Sequence, residues 1–484
     1  MARALLERDS AQDESFLERQ ERKRVRNETR GENATKDDYD FYDFTAWSLP
    51  LAFGVEAYWT SDVGAAASLV KGAWTAERPA PPARATSAYV FSPESESGYR
   101  LAFSLLADGF RVAAATRTLR AAQRTWPRGT FVVRVERNAA ALHERIAVLS
   151  RETGTAVVAV NTAFNDEGTT GIGSGSVVAL KRPQLLLVTG EPTRPASYGS
   201  LRSLIEDVYG FDVVPVSITA LADLPLSDFH AVILPDGSPS GYRKQIGEDG
   251  VARLKTWIEA GGTLVAIGDA ARFVIDADAG LTTASVVGEE TEGGSKQAER
   301  QASAAPAASP SEAPSPGSNT STSRPSPTAT EAAAVSTSDR AEPAPVGAVE
   351  AGEGKPQRPL AIPGAILRAE VDRFHFLTFG VERDTLPLLV EGDLFLHPST
   401  SGTNVLRFPE AADEPLRLAG FTWKDNTEPL IRGTAAVIEE PVGAGRVVLM
   451  THEPGVRLLW HASTQVLMNA LLYGPALGHA ATGE

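Results

Sequence analysis

Four short apolar segments between residues 183 and 280 constrain the fold of this chain more than any other feature. In each segment most consecutive residues are apolar, and a Gly or Asp follows shortly afterwards. Strands that are apolar on both faces are typical of a parallel sheet covered by helices on both sides. Segments with helical spacing separate them, so the pattern predicts an α/β fold with a parallel sheet. The predicted strands are 184–188, 211–216, 230–234 and 263–267, and the predicted helices are 197–209 and 248–260.

A fifth apolar segment with the same pattern occurs near the end of the chain. Residues 446–450 are followed by a turn and then by residues 456–472, which have helical spacing. An apolar strand followed by an amphipathic helix is the unit that extends a parallel sheet. We therefore predict that this strand and helix complete the first sheet, in one domain formed by residues 183–288 and 430–475.

Composition distinguishes three further segments of the chain. Residues 289–358 consist mainly of Ala, Pro, Ser, Thr, Glu and Gly, which bury too little surface to offset the cost of ordering. They are predicted to form a disordered insertion. Short strands recur in residues 359–429, which predicts a β-rich subdomain. Alternating strands and helices in residues 61–182 predict a small α/β domain before the main sheet.

The first sixty residues have two different characters. Residues 10–31 are rich in Glu and Arg, and Glu18 and Arg22 have the favourable i,i+4 order of a helical ion pair. Residues 39–59 are rich in aromatic side chains, which are usually buried in a core or an interface. We predict a charged helix followed by a segment that packs on another part of the protein.

Charge and composition exclude several classes of function. The formal net charge of the 484 residues is −15, which argues against binding to a nucleic-acid backbone. The absence of Cys excludes disulfides and thiolate metal sites. No run approaches the 18 apolar residues of a membrane helix, so no membrane contact is predicted. The charged start predicts a cytoplasmic protein if the chain is complete, or a secreted or periplasmic one if it is the rear of a longer exported protein.

Acidic side chains and one His follow the ends of the predicted parallel strands. They are Glu191, Asp236, Asp269 and His452, the last with Glu453 beside it. Ligands of open α/β sheets bind at the carboxyl ends of the strands, so these residues form our candidate ligand site. Together they would provide an acid/base pair or a hard-metal site. The alternative is that they are turn and helix-cap residues with no ligand.

Four stretches resemble the C-terminal region of bacterial M14 family zinc carboxypeptidase-like proteins, in which a class I glutamine amidotransferase-like domain follows the peptidase domain. The stretches are 42–59, 128–142, 247–268 and 443–475. The resemblance implies a flavodoxin-like or amidotransferase-like parallel sheet, with residues 1–60 as the remnant edge of a peptidase domain. It covers nearly everything except the insertion.

The catalytic centres of that family have no counterpart here. None of the seven His residues is followed three positions later by Glu, as the zinc motif requires. Without Cys the chain also lacks the nucleophile of true glutamine amidotransferases. We therefore assign no catalytic residue, no metal ligand and no cofactor, although the family uses zinc.

The expected function is that of a non-catalytic accessory portion of an M14-like protein. Its expected partner is a peptidase domain or subunit, and its expected ligand is a peptide or a glycan. One alternative is a truncated or split metallocarboxypeptidase whose catalytic half is a separate chain. Another is a hydrolase that uses Asp236, Asp269 and His452.

The missing zinc motif yields a direct prediction. The purified chain should retain far less than one zinc ion per molecule after dialysis, because a His-x-x-Glu pair and Cys ligands are both absent. Elemental analysis by plasma mass spectrometry measures this ratio. A stoichiometric ion with nanomolar affinity would contradict the prediction.

Overall fold

The computed structural model describes residues 13–30, 35–41, 48–58, 78–164, 170–276, 279–289 and 357–477. The described strands are β1 Ala88–Phe91, β2 Ala113–Ala115, β3 Leu119–Ala121, β4 Arg124–Trp126, β5 Phe131–Arg134, β6 Val158–Val160, β7 Val177–Ala179, β8 Leu185–Thr189, β9 Val213–Ser217, β10 Ala231–Leu234, β11 Thr263–Ile267, β12 Ile362–Val371, β13 Thr385–Gly392, β14 Thr403–Arg407, β15 Arg417–Phe421, β16 Ala435–Val442 and β17 Gly445–Met450. The described α-helices are α1 Glu14–Thr29, α2 Leu49–Ala52, α3 Glu96–Ala107, α4 Leu142–Thr153, α5 Pro195–Ser203, α6 Pro239–Glu259, α7 Ala270–Ile275, α8 Thr427–Ile431 and α9 Thr464–Tyr473.

Five parallel strands form one half of the larger sheet. Their spatial order is β9-β8-β10-β11-β17, and each neighbouring pair is parallel. Numbered along the chain, this is the order 2-1-3-4-5, which is the flavodoxin-like arrangement. The fold class is therefore α/β with a parallel, flavodoxin-like sheet, as the apolar segments predicted.

Both faces of β8, β10, β11 and β17 are buried, which explains why their sequences are mostly apolar, whereas the edge strand β9 is partly exposed. On one face, Leu187 and Val448 pack in a core that includes Leu201 of α5 and Leu467 of α9. On the other face, alternate strand residues pack against side chains of the opposite helical layer. These include Leu186, Val232, Leu264 and Leu449 from the strands, Tyr242, Leu254 and Trp257 from α6, and Phe273 from α7.

Strand β17 pairs with the first sheet across the long insertion, which confirms that prediction. Val448 lies opposite Val265 in the parallel ladder with β11, and all six residues of β17 are buried. Most of residues 289–358 lie outside the described residues, so the predicted disorder of that segment stays a prediction. The described residues up to Glu289 and from Gln357 onward pack as one compact unit.

The strands of the predicted β-rich segment continue this sheet. Strand β16 pairs antiparallel with β17, and the order then runs through β14 and β12 to β13, with β15 also on β12. The sheet therefore changes from parallel to antiparallel at β17. Residues 394–396, within the segment predicted to be rich in short strands, contribute bridges at Leu396 only. The domain boundaries at residues 60, 182 and 429 stay predictions.

Strand β16 was not predicted, and its two acidic residues explain why. Glu439 and Glu440 break the apolar run, yet both side chains are buried. Glu440 accepts hydrogen bonds from Thr282, Thr283 and Ser399 at 2.6 to 3.0 Å. Glu439 accepts one from Arg446 at 3.2 Å. Since every one of these partners is distant in sequence or on another strand, the pattern of β16 alone does not reveal them.

The preceding unit contains a five-stranded antiparallel sheet, in the order β6-β1-β5-β2-β7. Helices α3 and α4 pack on one face in the same core as the parallel sheet. Tyr99 of α3 donates a hydrogen bond to Asn469 of α9, and Tyr473 of α9 donates one to the carbonyl of Gly129. These bonds fix the smaller sheet to the larger one.

The N-terminal elements follow the sequence pattern in part. Helix α1 lies within the predicted 10–31, and Asp13 caps it by accepting a hydrogen bond from the amide of Phe16. Of the aromatic segment, Tyr39 and Phe41 contact Trp423, at ring-centroid distances of 5.1 and 6.5 Å. The remaining aromatic residues at 42–47 and 59 lie outside the described residues.

Three predicted helices differ from those observed. The helix predicted at 248–260 begins at Pro239 and bends at Gly247, whose φ of 66° suits glycine. The one predicted at 197–209 begins at Pro195 and ends in a π-helical turn, Leu204–Val208. The one predicted at 456–472 consists of a 3₁₀ turn, Val456–Leu458, and then α9. Among the described helices, none is long and apolar enough to cross a membrane.

The position of β17 predicts the effect of one substitution. Val448→Asp would place an unpaired charge in a fully buried strand, which costs several kcal/mol. Val214→Asp is the control, because Val214 is 42% exposed on the edge strand β9, and we expect it to cost about 1 kcal/mol or less. Urea denaturation measures both changes.

Hydrogen exchange shows whether the sheet is a single cooperative unit. In Val448→Asp, amide protection should fall together in β8, β10, β11 and β17. Loss of protection confined to β17 and α9 would contradict a cooperative sheet.

Candidate functional site

The strand order places a crevice at the carboxyl ends of β8 and β10. Strand β8 has β9 on one side and β10 on the other, so the chain changes direction across the sheet at this point. Ligands of open α/β sheets bind at such a switch point. The loops after both strands come close together, since the amide of Arg194 donates to the carbonyl of Asp236 at 2.8 Å. Gly237 permits this approach, because a Cβ there would lie 2.5 Å from the carbonyl oxygen of Pro192.

Two carboxylates and one guanidinium occupy this crevice. Arg194 lies 2.6 Å from Oδ2 of Asp236 and 3.4 Å from Oδ2 of Asp269. The amide of Asp269 also donates to Oδ1 of Asp236 at 2.9 Å. The Arg194 side chain is 63% exposed, whereas that of Asp236 is only 12% exposed. An incoming ligand would therefore meet Arg194 first and the carboxylate of Asp236 behind it.

A third acidic residue, Glu453, completes the group. It follows β17, and burial raises its pKa to about 7, with a further contribution from the charge of Asp236. Burial likewise raises the pKa of Asp236, although the amide of Asp269 and the charge of Arg194 oppose that rise. A carboxyl group with a pKa near 7 exchanges its proton at neutral pH, which suits a hydrogen-bond donor or acceptor role.

Ser197, at the start of α5, connects the acidic residues. Its side-chain oxygen accepts a hydrogen bond from the amide of Asp236 at 3.1 Å. Its side chain also bonds to Glu453, which lowers the pKa of that carboxyl against the larger effect of burial. Ser197 is 1% exposed, so its hydroxyl holds the site together and is not open to a substrate.

An ion-pair network extends from Asp269 along the edge of the sheet. Arg272 of α7 lies 3.2 Å from Asp269 and 2.8 Å from Asp393, and it also pairs with Glu289. Arg358 contacts Glu289 and Asp393 at 3.3 and 3.0 Å. Because Arg272 contacts three carboxylates, its charge is already neutralised within the protein.

The structure brings two of the four predicted residues together. Asp236 and Asp269 form the hydrogen-bonded pair described above. Glu191 is exposed and makes no hydrogen bond or ion pair with any described residue. His452 is 3% exposed, and neither ring nitrogen has a hydrogen-bond partner among the described residues. Burial lowers the pKa of His452 to about 4, so its ring is neutral at pH 7.

Sequence reasoning missed Arg194 and Ser197. Both lie within eight residues of the end of β8, so a wider window of polar residues after each predicted strand would have included them. In the described part of the chain, no group of three or more His, Asp or Glu side chains has the arrangement needed to hold a metal ion. The site therefore offers two carboxylates, one exposed guanidinium and one carboxyl group that titrates near neutral pH.

Comparison with known proteins gives similarities of structure alone. No protein-family model matches the chain, and no curated protein matches it. A ThuA-like protein from Bacteroides uniformis matches 60% of this chain and 89% of its own, with 10% identity and a TM-score of 0.33. A glutamine amidotransferase from Thermotoga maritima matches 60% of this chain and 98% of its own, with 8% identity and a TM-score of 0.30. PurLQS from Thermotoga maritima matches 60% of this chain and 97% of its own, with 13% identity and a TM-score of 0.33.

The raised pKa of Glu453 predicts a pH dependence of stability. Its stabilising contribution is present below the unfolded pKa of 4.5 and is lost as the pH rises through about 7. Glu453→Gln removes the charge that forms over this range. Relative to the wild type, the variant should therefore gain on the order of 3 kcal/mol in the free energy of unfolding between pH 5 and pH 8.

Urea denaturation at both pH values measures this difference. His452 has the opposite dependence, because its lowered pKa destabilises the fold as the pH falls from 6.5 to about 4, but it is present in both proteins. Glu191→Gln is the matched control and should follow the wild type. Parallel curves for Glu453→Gln and the wild type would contradict the prediction.

Proposed function

We propose that this chain binds a ligand rich in hydrogen-bond donors at the crevice between β8 and β10, as a non-catalytic accessory portion of an M14-like protein. The observation that carries the proposal is the group formed by Asp236, Asp269, Glu453 and Arg194 at the topological switch point. Peptide ammonium groups and glycan hydroxyls are the two donor classes that the site suits.

The balance of charge in the crevice favours donors over anions. Three acidic side chains face one arginine that is open to a ligand, Arg194. The neighbouring Arg272 already contacts three carboxylates. Carboxylate oxygens that accept from a charged or hydroxyl donor form the stronger class of hydrogen bond. An anionic ligand would instead meet repulsion from Asp236 and Asp269.

The proposed family relation is supported by the sequence stretches that carry the resemblance. Residues 247–268 include most of α6 and all of β11, and residues 443–475 include β17 and α9. Residues 128–142 include β5 and the start of α4. These stretches supply central strands and their covering helices, so the resemblance concerns the body of the fold rather than its surface loops.

The geometry supports binding better than hydrolysis. A hydrolase that uses Asp236, Asp269 and His452 needs the imidazole within hydrogen-bond reach of a partner. His452 makes no such bond to either Asp among the described contacts, and Ser197 is buried. The split-peptidase alternative rests on a separate catalytic chain, and a neighbouring reading frame that encodes a His-x-x-Glu zinc motif would favour it.

The experiment uses two named probe sets on the full chain. The first probes are tetra-alanine with a free amino terminus and maltotriose, and each is accompanied by a small panel of related peptides or glycans. Binding is tested by thermal shift and then by titration calorimetry. Asp269→Asn should lower the affinity for whichever probe binds by about tenfold, because a charged acceptor is lost. Asp212→Asn is the matched control, since the Asp212 side chain is 90% exposed on the loop before β9.

Three results would contradict the proposal. The first is that binding is unchanged in Asp269→Asn, which would place the ligand elsewhere. The second is that only anionic members of the panels bind. The third is that a bound peptide or glycan is cleaved, which would favour the hydrolase alternative.

A further inference from the structure

A second candidate site lies on the five-stranded antiparallel sheet, away from the crevice between β8 and β10. A half-open cavity of about 200 Å³ is formed by the ends of β2, β5 and β7 and the turn after β5. Three of its lining residues are arginines, Arg111, Arg134 and Arg137. The proposed ligand crevice shares none of these residues.

The register of the strands puts small apolar side chains on the floor of this cavity. Ala113 of β2 lies opposite both Val132 of β5 and Ala179 of β7. Side chains two residues apart on a strand share a face, so Val177 and Arg134 lie on this face as well. Arg111 precedes Ala113 by two residues and has the same relation to β2. The floor is thus apolar, and its rim is cationic.

The positive charges of these arginines are little neutralised by acidic side chains of the protein. Neither Arg111 nor Arg134 forms a side-chain hydrogen bond or an ion pair with any described residue. Arg137 contacts only its neighbour Glu136, at 3.6 Å, and both side chains are mostly exposed. This contrasts with the crevice at the parallel sheet, where each arginine contacts two or more carboxylates.

Three guanidinium groups around one cavity favour an anion, because guanidinium stays charged at every physiological pH and its planar fork matches carboxylate and phosphate oxygens. Such a concentration of positive charge is notable in a chain of net charge −15. The apolar floor adds a second requirement, since a bare inorganic anion would leave Ala113 and Ala179 against water. A ligand that satisfies both has an oxyanion at one end and a hydrocarbon group at the other.

We propose that this cavity binds a small carboxylate with an apolar ring or short chain, its oxyanion on Arg111, Arg134 and Arg137 and its hydrocarbon on the floor formed by Ala113, Val132, Val177 and Ala179. The cavity volume limits the size of the ligand, since an apolar cavity of about 150 Å³ accepts benzene. A cavity of about 200 Å³ therefore fits a ligand of the size of benzoate. This site is independent of the proposed function, and either is able to fail without the other.

The test follows methyl resonances of Val132 and Val177 by NMR during titration of the full chain with benzoate. Benzamide, which has the same shape without the charge, and inorganic phosphate, which has the charge without the ring, are the two comparison probes. Benzoate should shift both methyl signals and bind at least about tenfold more tightly than either comparison probe. Equal binding of benzamide, tighter binding of phosphate, or no shift with benzoate would each overturn the proposal.

Variants separate the two halves of the site. Arg134→Gln should lower the affinity for benzoate by about tenfold. Arg117 is an exposed arginine of the same unit outside the cavity, so Arg117→Gln should change that affinity less than twofold. Ala179→Leu keeps the arginines and fills the exposed floor, so it too should weaken benzoate. Circular dichroism checks the fold of each variant. Unchanged affinity in both Arg134→Gln and Ala179→Leu would place benzoate elsewhere and overturn the proposal.

Discussion

The pairing of β17 is the constraint on which the rest of the structure depends. This strand lies parallel to β11 on one side and antiparallel to β16 on the other, so it alone connects the two halves of the larger sheet. All six of its residues are buried. The segments before Glu289 and after Gln357 therefore share one core, although 67 residues separate them in sequence. The position of His452 and Glu453 follows from this pairing, because they directly succeed β17.

Buried charge at the junction of β16 and β17 requires the two halves to be matched accurately. Arg446 is 1% exposed, donates to Glu439 and to the carbonyl of Leu477, and lies 4.7 Å from the ring of Phe376. His375 lies 3.6 Å from the same Glu439. Removing one partner of such a pair costs about 3 to 5 kcal/mol, because the other charge is left buried. In the ladder Glu439 lies opposite Val448, two residues along β17 from Arg446. The ion pair therefore disfavours any register that moves this diagonal pair apart.

The two candidate sites illustrate opposite uses of charge in one chain. In the crevice, three acidic side chains outnumber the one exposed arginine and supply hydrogen-bond acceptors, while burial raises the pKa values of Glu453 and Asp236. On the smaller sheet, three arginines surround an apolar floor, and among the described residues their one carboxylate contact is that of Arg137 with Glu136. The chemistry of each site thus comes from which strands end together rather than from the net charge of the chain.

The sequence by itself determined the α/β class, the five parallel strands and the pairing of β17 with the sheet that precedes the insertion. Strands buried on both faces must be apolar throughout, and that signal is local and strong. It also placed Asp236 and Asp269 at strand ends, where the structure brings them together. The tertiary structure alone decided the rest, because the remaining features depend on partners distant in the chain. Strand β16 contains two buried glutamates whose partners lie elsewhere in the sequence. Of the adjacent residues His452 and Glu453, Glu453 bonds to Ser197, whereas the ring of His452 has no hydrogen-bond partner among the described residues. The arginines of the second cavity come together only because β2 pairs with β5, and no local pattern records that pairing.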